Sequence, residues 1–329
     1  MADPGFRDVS GLWAEARGAL PGFPRWTRVE RLLSVRENAI FEVRGDPPRR
    51  GVLRLHREGY QDERSINSEM LWLRYLSDQG FPVPAPFCTE DENLVLVTAT
   101  GRHATLLGWV SGYHPGSAGD PAPIGHRYRE IGAALARLHN ATDGFRPPSG
   151  FSRPSWDIDG FLGEEPLWGR FWENSGLTMA DTRLMEEVRD VARTDLQRFL
   201  QDGADFGLIH ADPLPENIFI SEAGPVIIDY DDSGYGFRMY DLAVATYRRS
   251  DEPGDEGLSE CLVAGYREQR VLPDEHWETL PLFHLLRTLA CLGWIEPRQD
   301  FPGSRERLRR YLEIARVASR RYLETRRSS

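Results

Sequence analysis

One segment of the sequence, residues 207–241, contains a predicted β-hairpin with polar side chains just before its first strand and just after its second. Two short apolar runs, Ile218–Ile220 and Val226–Ile228, are separated by Ser-Glu-Ala-Gly-Pro. β-branched runs around a short glycine-containing turn are typical of a hairpin. Asn217 precedes the first run and Asp229 follows the second, so the hairpin is expected to bring these two side chains together. The chain is therefore expected to build a site at the open end of this hairpin.

Three oxygen-bearing residues of the segment have the chemistry of a cation site. His210 and Asp212 lie one loop upstream of Asn217, and Asp229 follows the hairpin. Amide and carboxylate oxygens suit a hard cation such as Mg²⁺, which takes a few protein ligands and completes its shell with water and phosphate oxygens. Asn217 and Asp229 are the candidate metal ligands, and Asp212 is a further carboxylate that faces the same place.

The spacing of these residues resembles the catalytic segment of aminoglycoside phosphotransferase and choline kinase-type enzymes. Residues 210–217 have the pattern His-x-Asp-x-x-x-x-Asn, and the strand that follows ends in Ile-Asp. The run IDYDDSGYGFRMYDLA, residues 228–243, is similar to the bacterial branch that contains type II homoserine kinases and stress-response kinases. The resemblance implies an ATP-dependent kinase that uses Mg²⁺. It assigns the catalytic base to Asp212 and the metal to Asn217 and Asp229.

The same resemblance implies an α+β fold of the protein-kinase-like, bilobal kind. It assigns residues 1–107 to an N-lobe with an antiparallel nucleotide-binding sheet and one helix. Residues 108–116 are then a hinge, and residues 117–329 form a mostly helical C-lobe that carries the catalytic loop and the metal site.

Hydrophobic periodicity predicts secondary structure that agrees with this division. Strand-like runs bounded by turn residues predict strands at Val29–Leu33, Ala39–Val43, Gly51–Leu55 and Leu94–Ala99. Apolar residues at helical spacing predict helices at Ser65–Gln79, His126–Asn140, Asp181–Gln201, Ser259–Glu268, His276–Trp294 and Arg305–Thr325. The sequence Ser-Gly-Tyr-Gly at 233–236 is interpreted as a turn.

Three residues of the predicted N-lobe occupy the family's positions for nucleotide binding. Arg54 stands where these kinases usually carry the strand lysine that holds the α- and β-phosphates, and a guanidinium binds phosphate through two donors. Glu69, on the following helix, takes the place of the acid that pairs with this basic residue. Asn38 ends the loop Ser34–Asn38, which covers the phosphates in such kinases but contains no glycine here. A solvent-facing Arg54 on an edge strand is the alternative that the alternation of the strand leaves open.

Several further residues have two possible roles. Asp231 and Asp232 either meet an amine of the substrate or cap the turn that follows them. Trp156, in the aromatic-rich stretch 154–172, either lines a substrate cleft or belongs to a small core. Asp241 is predicted to lie in the first turn of a helix and to bond the backbone of the catalytic loop.

One residue departs from the family pattern, so functions other than a small-molecule kinase are also considered. Leu214 stands where these kinases carry Lys or His after the catalytic Asp. This change, with Arg54 and the glycine-free loop, leaves a degenerate nucleotide-binding protein as one alternative. A protein Ser/Thr kinase of the stress-response type is another. The stretch from Asp229 to Asp241 is short for peptide docking, which favours a small hydroxylated substrate such as an amino alcohol, amino acid, sugar or aminoglycoside.

The composition of the chain argues against some binding partners and predicts the cellular compartment of the protein. The net charge of −11 argues against nucleic acid or an anionic membrane as a partner, and no apolar run approaches the ~20 residues of a membrane span. All 40 basic residues are arginine, which excludes a lysine Schiff base. Three separated cysteines and a polar N-terminus predict a cytoplasmic protein. The sequence predicts neither the particular substrate nor the oligomeric state.

Overall fold

Strands are concentrated in the first third of the chain and helices in the rest, in a computed structural model that describes residues 9–35, 38–247, 257–299 and 303–328. The strands within these ranges are β1 (Trp26–Val35), β2 (Asn38–Gly45), β3 (Arg49–His56), β4 (Pro86–Phe87), β5 (Leu96–Val97), β6 (His103–Gly108), β7 (Ser155–Trp156), β8 (Phe206–Ile209), β9 (Ile218–Ser221), β10 (Gly224–Ile227) and β11 (Gly234–Phe237). The helices are α1 (Val9–Ala19), α2 (Glu63–Asp78), α3 (Ile124–Asp143), α4 (Ile158–Leu162), α5 (Met179–Gln201), α6 (Arg238–Thr246), α7 (Leu258–Arg267), α8 (Asp274–Trp277), α9 (Leu280–Ile295) and α10 (Ser304–Ser328).

The chain forms two compact units, and each is described by itself. The first unit contains Met1–Tyr113, Gly144–Arg153 and Phe219–Asp231. The second unit contains His114–Asp143, Pro154–Ile218 and Asp232–Ser329. The lobe boundaries given above, with a hinge at 108–116, stay a prediction.

Alternation along the strands gives the sheet of the first unit an apolar face. The sheet is antiparallel with the order β1-β2-β3-β6-β4, and β5 also pairs with β6. Phe41, Leu53 and Leu55 are fully buried in a core that includes apolar residues of α1. Arg54 points to the opposite face, because side chains alternate along a strand, and there it meets Glu69 of α2. The predicted antiparallel sheet and α+β class are confirmed.

Helix α2 begins where the sequence supplies a cap. The Asp62 carboxylate accepts the N–H of Ser65 at 2.7 Å, which satisfies one of the donors that a helix start leaves unpaired. Ile66, Met70 and Leu73 are buried and recur at helical spacing. The predicted helix is therefore confirmed, and its bounds differ only at the ends. Residues 36–37, part of the predicted phosphate loop, lie outside the described residues.

The second unit is mostly helical and contains a small sheet. Helix α3 packs against α7, and α9 packs against both α6 and α10. The small sheet has the order β7-β11-β8. The predicted hairpin of β9 and β10 is confirmed and, apart from Ile218, belongs to the first unit. None of the helices within the described ranges has the length and apolar character needed to cross a membrane.

Strand β11 differs from the prediction, because a turn was expected at 233–236. Residues of β11 pair antiparallel with β8 and parallel with β7, so the turn interpretation is wrong. A Cβ added to Gly234 would lie 2.3 Å from the carbonyl oxygen of Pro154. Glycine is therefore needed here for the close approach of two backbones, and a turn interpretation from composition misses this use.

The predicted helix His276–Trp294 is two helices, α8 and α9, and the prediction of a single helix is wrong. Pro281 lies in the first turn of α9, a position that suits proline because the first helical N–H groups have no intrahelical partner. The apolar periodicity continues across residues 278–279, which separate the two helices, so the sequence pattern does not show the break. The predicted strand Leu94–Ala99 is likewise reduced to the two residues of β5.

Candidate active site

A buried ion pair joins β3 to α2 in the first unit. Arg54 Nη2 lies 2.5 Å from Glu69 Oε1, and the two side chains are 4% and 0% exposed. Burial acts to lower the pKa of Arg54, but the carboxylates of Glu69, Asp231 and Asp229 outweigh it and raise the pKa. The guanidinium is thus held charged and fixed in place, and the solvent-facing alternative for Arg54 is wrong.

Asp231 is held by polar groups from three other segments of the first unit. Asn38 Nδ2 donates to Asp231 Oδ2 at 3.4 Å, and Gln61 Nε2 donates to Oδ1 at 3.1 Å. Arg153 Nη2 donates to the carbonyl oxygens of Asp231 at 2.5 Å and of Tyr230 at 3.2 Å. No motif in the sequence indicates Gln61 or Arg153. The Asp231 carboxylate is buried in this network, and its contact with substrate stays a prediction.

Asp229 has an unusual backbone conformation just after β10. Its φ of 64° lies in the left-handed region, which residues other than glycine seldom adopt. Its side chain is 53% exposed, with Oδ1 3.8 Å from Arg54 Nη1. A strained residue with an exposed carboxylate is typical of a functional position. The carboxylate has the chemistry and the accessibility that a Mg²⁺ ligand requires.

Asp212 and Asn217 are joined by hydrogen bonds in the second unit. Asn217 Nδ2 donates to Asp212 Oδ2 at 3.0 Å and to the Asp212 carbonyl at 2.9 Å. A 3₁₀ turn supports this geometry, since the N–H of Asn217 donates to the carbonyl of buried Leu214 at 2.8 Å. Buried His210 accepts the N–H of Asp212 through Nδ1 at 3.2 Å. The amide oxygen of Asn217 is the atom left to bind a cation.

Asp241 of α6 holds the backbone immediately before Asp212. Its carboxylate accepts the N–H of His210 at 2.9 Å and of Ala211 at 2.7 Å, which confirms the predicted bonding of the loop. Ala211 has a φ of 68°, and these bonds stabilise a conformation that is costly for a non-glycine residue. Burial acts to raise the pKa of Asp241, but the hydrogen bond with His139 and the backbone bond outweigh it and lower the pKa.

His139 continues this chain of hydrogen bonds behind the loop. Its Nε2 lies 3.1 Å from Asp241 Oδ2, and its Nδ1 lies 2.8 Å from the Tyr266 hydroxyl. Burial, helped by the charge of Arg238, lowers the pKa of His139 to about 4. The neutral ring therefore donates from Nε2 to Asp241 and accepts at Nδ1 from Tyr266. This histidine supports the loop and is not charged at neutral pH.

An arginine that the sequence analysis did not single out contacts Asp212. Arg287 of α9 donates from Nη2 to Asp212 Oδ1, and its side chain is 5% exposed. The guanidinium lies over the ring of Trp168, 4.8 Å from the centroid. One oxygen of Asp212 is thus bound by Asn217 and the other by Arg287. The available signal was the lone arginine of α9, a helix whose other residues are mostly apolar.

Trp156 lies in an aromatic cluster of the second unit. It is 2% exposed, and its ring contacts those of Phe161, Trp168 and Tyr240. Its Nε1 donates to the carbonyl oxygen of Asp232 at 2.8 Å. Trp156 therefore packs the unit and fixes the backbone at Asp232. A substrate contact by either residue stays a prediction.

The fold and these loops together define a phosphotransferase of the kinase-like class. The sequence profile of the phosphotransferase enzyme family, APH, matches residues 28–283, which is more than half of the chain. The protein belongs to this family. That membership confirms the predicted family and the predicted enzyme class, a kinase-type phosphotransferase.

Individual relatives agree with this assignment. An uncharacterised protein of Deinococcus radiodurans is 31% identical over 266 residues, which cover 76% of this chain and 72% of that protein. A homoserine kinase of Sinorhizobium medicae is 28% identical over 234 residues, covering 67% of this chain and 66% of the kinase, slightly less than two thirds of its length. The structure of a microcompartment-associated aminopropanol kinase superimposes with a TM-score of 0.81 at 29% identity, covering 97% of this chain and 98% of that chain. The predicted kinase-like fold is confirmed.

Proposed function

We propose that this protein transfers the γ-phosphoryl group of ATP to a hydroxyl of a small amino alcohol or hydroxyamino acid. The observation that carries the proposal is the hydrogen-bonded pair of Asp212 and Asn217, in a loop whose backbone is held by Asp241. Family membership supplies the reaction class. The relatives named for homoserine and aminopropanol supply the substrate class, since both compounds carry a hydroxyl and an amine.

Asp212 is the proposed catalytic base. Its carboxylate accepts a hydrogen bond from the substrate hydroxyl and takes the proton as the phosphoryl group arrives. The ion pair with Arg287 and the bond from Asn217 orient this carboxylate. A strongly basic group is not required, because phosphoryl transfer has a loose transition state in which positioning matters most.

Arg54, Glu69 and Asn38 are the proposed nucleotide-binding residues. The Arg54 guanidinium is fixed by Glu69 and would hold the phosphates of ATP. Asn38 Oδ1 accepts the N–H of Arg57 at 3.3 Å while its Nδ2 reaches Asp231. This pair of bonds fixes the end of the loop that is expected to cover the nucleotide.

Asn217 and Asp229 are the proposed ligands of Mg²⁺. The assignment rests on the sequence resemblance and on the local chemistry of each residue, an amide oxygen and an exposed carboxylate. Bound Mg²⁺ would neutralise the charge on the β- and γ-phosphates. Within this proposal the protein acts in the cytoplasm, where ATP and Mg²⁺ are present.

A screen of phosphate acceptors tests the proposed function. The protein is incubated with Mg-ATP and, separately, with homoserine, 1-aminopropan-2-ol, choline, an aminoglycoside and a generic protein. We expect mass spectrometry to detect a phosphate ester of at least one small amino alcohol or hydroxyamino acid, formed only when Mg²⁺ is present. Phosphorylation of the generic protein alone would indicate a protein kinase, and no product from any acceptor would indicate a nucleotide-binding protein without transferase activity.

A further inference from the structure

The guanidinium of Arg287 has donor groups that the protein does not use. Its Nη2 donates to Asp212 Oδ1, but Nε and Nη1 are buried and have no hydrogen-bond partner among the residues that the structure describes. A buried N–H group without an acceptor is costly, because it has lost its hydrogen bonds to water and gained none in the protein. An oxygen-bearing ligand beside Asp212 would relieve that cost.

The surroundings of Arg287 are aromatic and contribute little negative charge. Trp168 covers one face of the guanidinium, with its ring centroid 4.8 Å from Cζ. Tyr240 also lies against it, with its buried hydroxyl close to the guanidinium. Burial acts to lower the pKa of Arg287, but Cys291, Asp212 and Tyr240 outweigh it and raise the pKa. These surroundings exclude water and strengthen any charged hydrogen bond made there.

The chemistry of the unused donors points to a particular ligand. Arginine N–H groups bind carboxylate oxygens with short, charge-assisted hydrogen bonds. A neutral alcohol or an ammonium group gains much less from the same site, and an ammonium group is repelled by the guanidinium. A ligand that carries both a hydroxyl and a carboxylate would present the hydroxyl to Asp212 and the carboxylate to the remaining donors of the adjacent Arg287.

We propose that Arg287 binds the carboxylate of the phosphoryl acceptor and selects hydroxyamino acids over amino alcohols that lack the carboxylate. The inference rests on the proposed function and narrows its substrate class. Arg287 then has two contacts, one with the base and one with the substrate, so it places the reacting hydroxyl beside the base.

Two pairs of acceptors that differ only in the carboxylate test this selection. Homoserine without its carboxylate is 3-aminopropan-1-ol, and threonine without its carboxylate is 1-aminopropan-2-ol. The comparison is made within the pair of acceptors that the wild-type protein phosphorylates more efficiently. We expect kcat/KM for the carboxylate-bearing acceptor of that pair to be at least about tenfold higher than for the acceptor without the carboxylate, as expected for a buried charged hydrogen bond. Equal values, or a preference for the member without the carboxylate, would overturn the proposal.

Variants of Arg287 separate substrate binding from support of Asp212. In Arg287→Met we expect KM for the carboxylate-bearing acceptor to rise at least about tenfold more than KM for its partner. Arg287→Lys keeps the charge and should retain part of the preference. Arg298→Met is the matched control, because Arg298 is also buried and stacked on a tryptophan, Trp294, and should keep the preference. An equal fall in kcat for both acceptors with unchanged KM ratios would show that Arg287 only supports Asp212.

A binding measurement distinguishes failure of this inference from failure of the proposed function. Calorimetry with Mg²⁺ and a non-hydrolysable ATP analogue compares homoserine with 3-aminopropan-1-ol, and threonine with 1-aminopropan-2-ol. Carboxylate-dependent binding that Arg287→Met abolishes, in a protein that transfers no phosphate, would support the carboxylate site and contradict the kinase activity. Phosphate transfer without carboxylate-dependent binding would support the kinase activity and contradict the site.

Discussion

Replacement of Asp212 by asparagine is expected to lower kcat by about 10³-fold, within the range that a catalytic general base contributes. Asparagine preserves the shape and the hydrogen bond from Asn217 but cannot take the proton of the acceptor hydroxyl. The affinity for Mg-ATP should change little, because Asp212 is not a proposed ligand of the metal or the nucleotide. Steady-state kinetics with the best acceptor from the screen gives the measurement.

The controls for this variant address its charge and its fold. Asp190→Asn makes the same change on the exposed side of α5 and should keep wild-type kcat. Asp212→Asn leaves the buried charge of Arg287 without its carboxylate, so thermal unfolding must show that the variant is still folded at the assay temperature. A folded Asp212→Asn protein with kcat within tenfold of the wild type would contradict the role of Asp212.

Breaking the ion pair of Arg54 and Glu69 is expected to have the largest effect on stability. Both side chains are almost fully buried, and removing one of them leaves the other charge without its hydrogen-bonded partner. Arg54→Met and Glu69→Gln should each lower the free energy of unfolding by about 3–5 kcal/mol. Urea unfolding followed by fluorescence measures the change. Arg28→Met is the control, because Arg28 pairs with Glu30 at the surface and its loss should change stability little.

The double variant Arg54→Met/Glu69→Leu separates stability from function. Replacing both charges by apolar side chains of similar size should recover most of the lost stability. Binding of Mg-ATP should not recover, because the proposed phosphate-binding guanidinium is absent. If the double variant were as unstable as the single variants, the instability of the single variants could not come from an unpaired buried charge. Full nucleotide affinity in the double variant would contradict the role of Arg54.

The local parts of the fold were predictable because their signals lie within a few residues. The hairpin of β9 and β10 and the apolar periodicity of α2 depend on neighbouring residues. The alternation that turns Arg54 away from Leu53 and Leu55 is equally local. The order and spacing of His210, Asp212, Asn217 and Asp229 indicated the family, which the profile match confirms.

Other features depend on contacts that no local pattern records. Arg287 lies 75 residues from Asp212 along the chain, and only its charge in an apolar helix distinguishes it. Arg153 holds the backbone at Tyr230 and Asp231 from 77 and 78 residues away. In β11, Gly234 is required by the closeness of the Pro154 backbone and Gly236 by the closeness of Ile209. Composition therefore indicated a turn where the packing of distant segments makes a strand.

Thermal unfolding with ATP, in the presence and absence of Mg²⁺, tests the central claim most directly. The claim is that Asp229 and Asn217 hold the metal that binds with the nucleotide. We expect the wild type and the exposed control Asp91→Asn to gain stability from ATP only when Mg²⁺ is present. Asp229→Asn and Asn217→Leu should lose that Mg²⁺-dependent gain while remaining folded. A gain in Asp229→Asn equal to that of the wild type would contradict the proposed metal site.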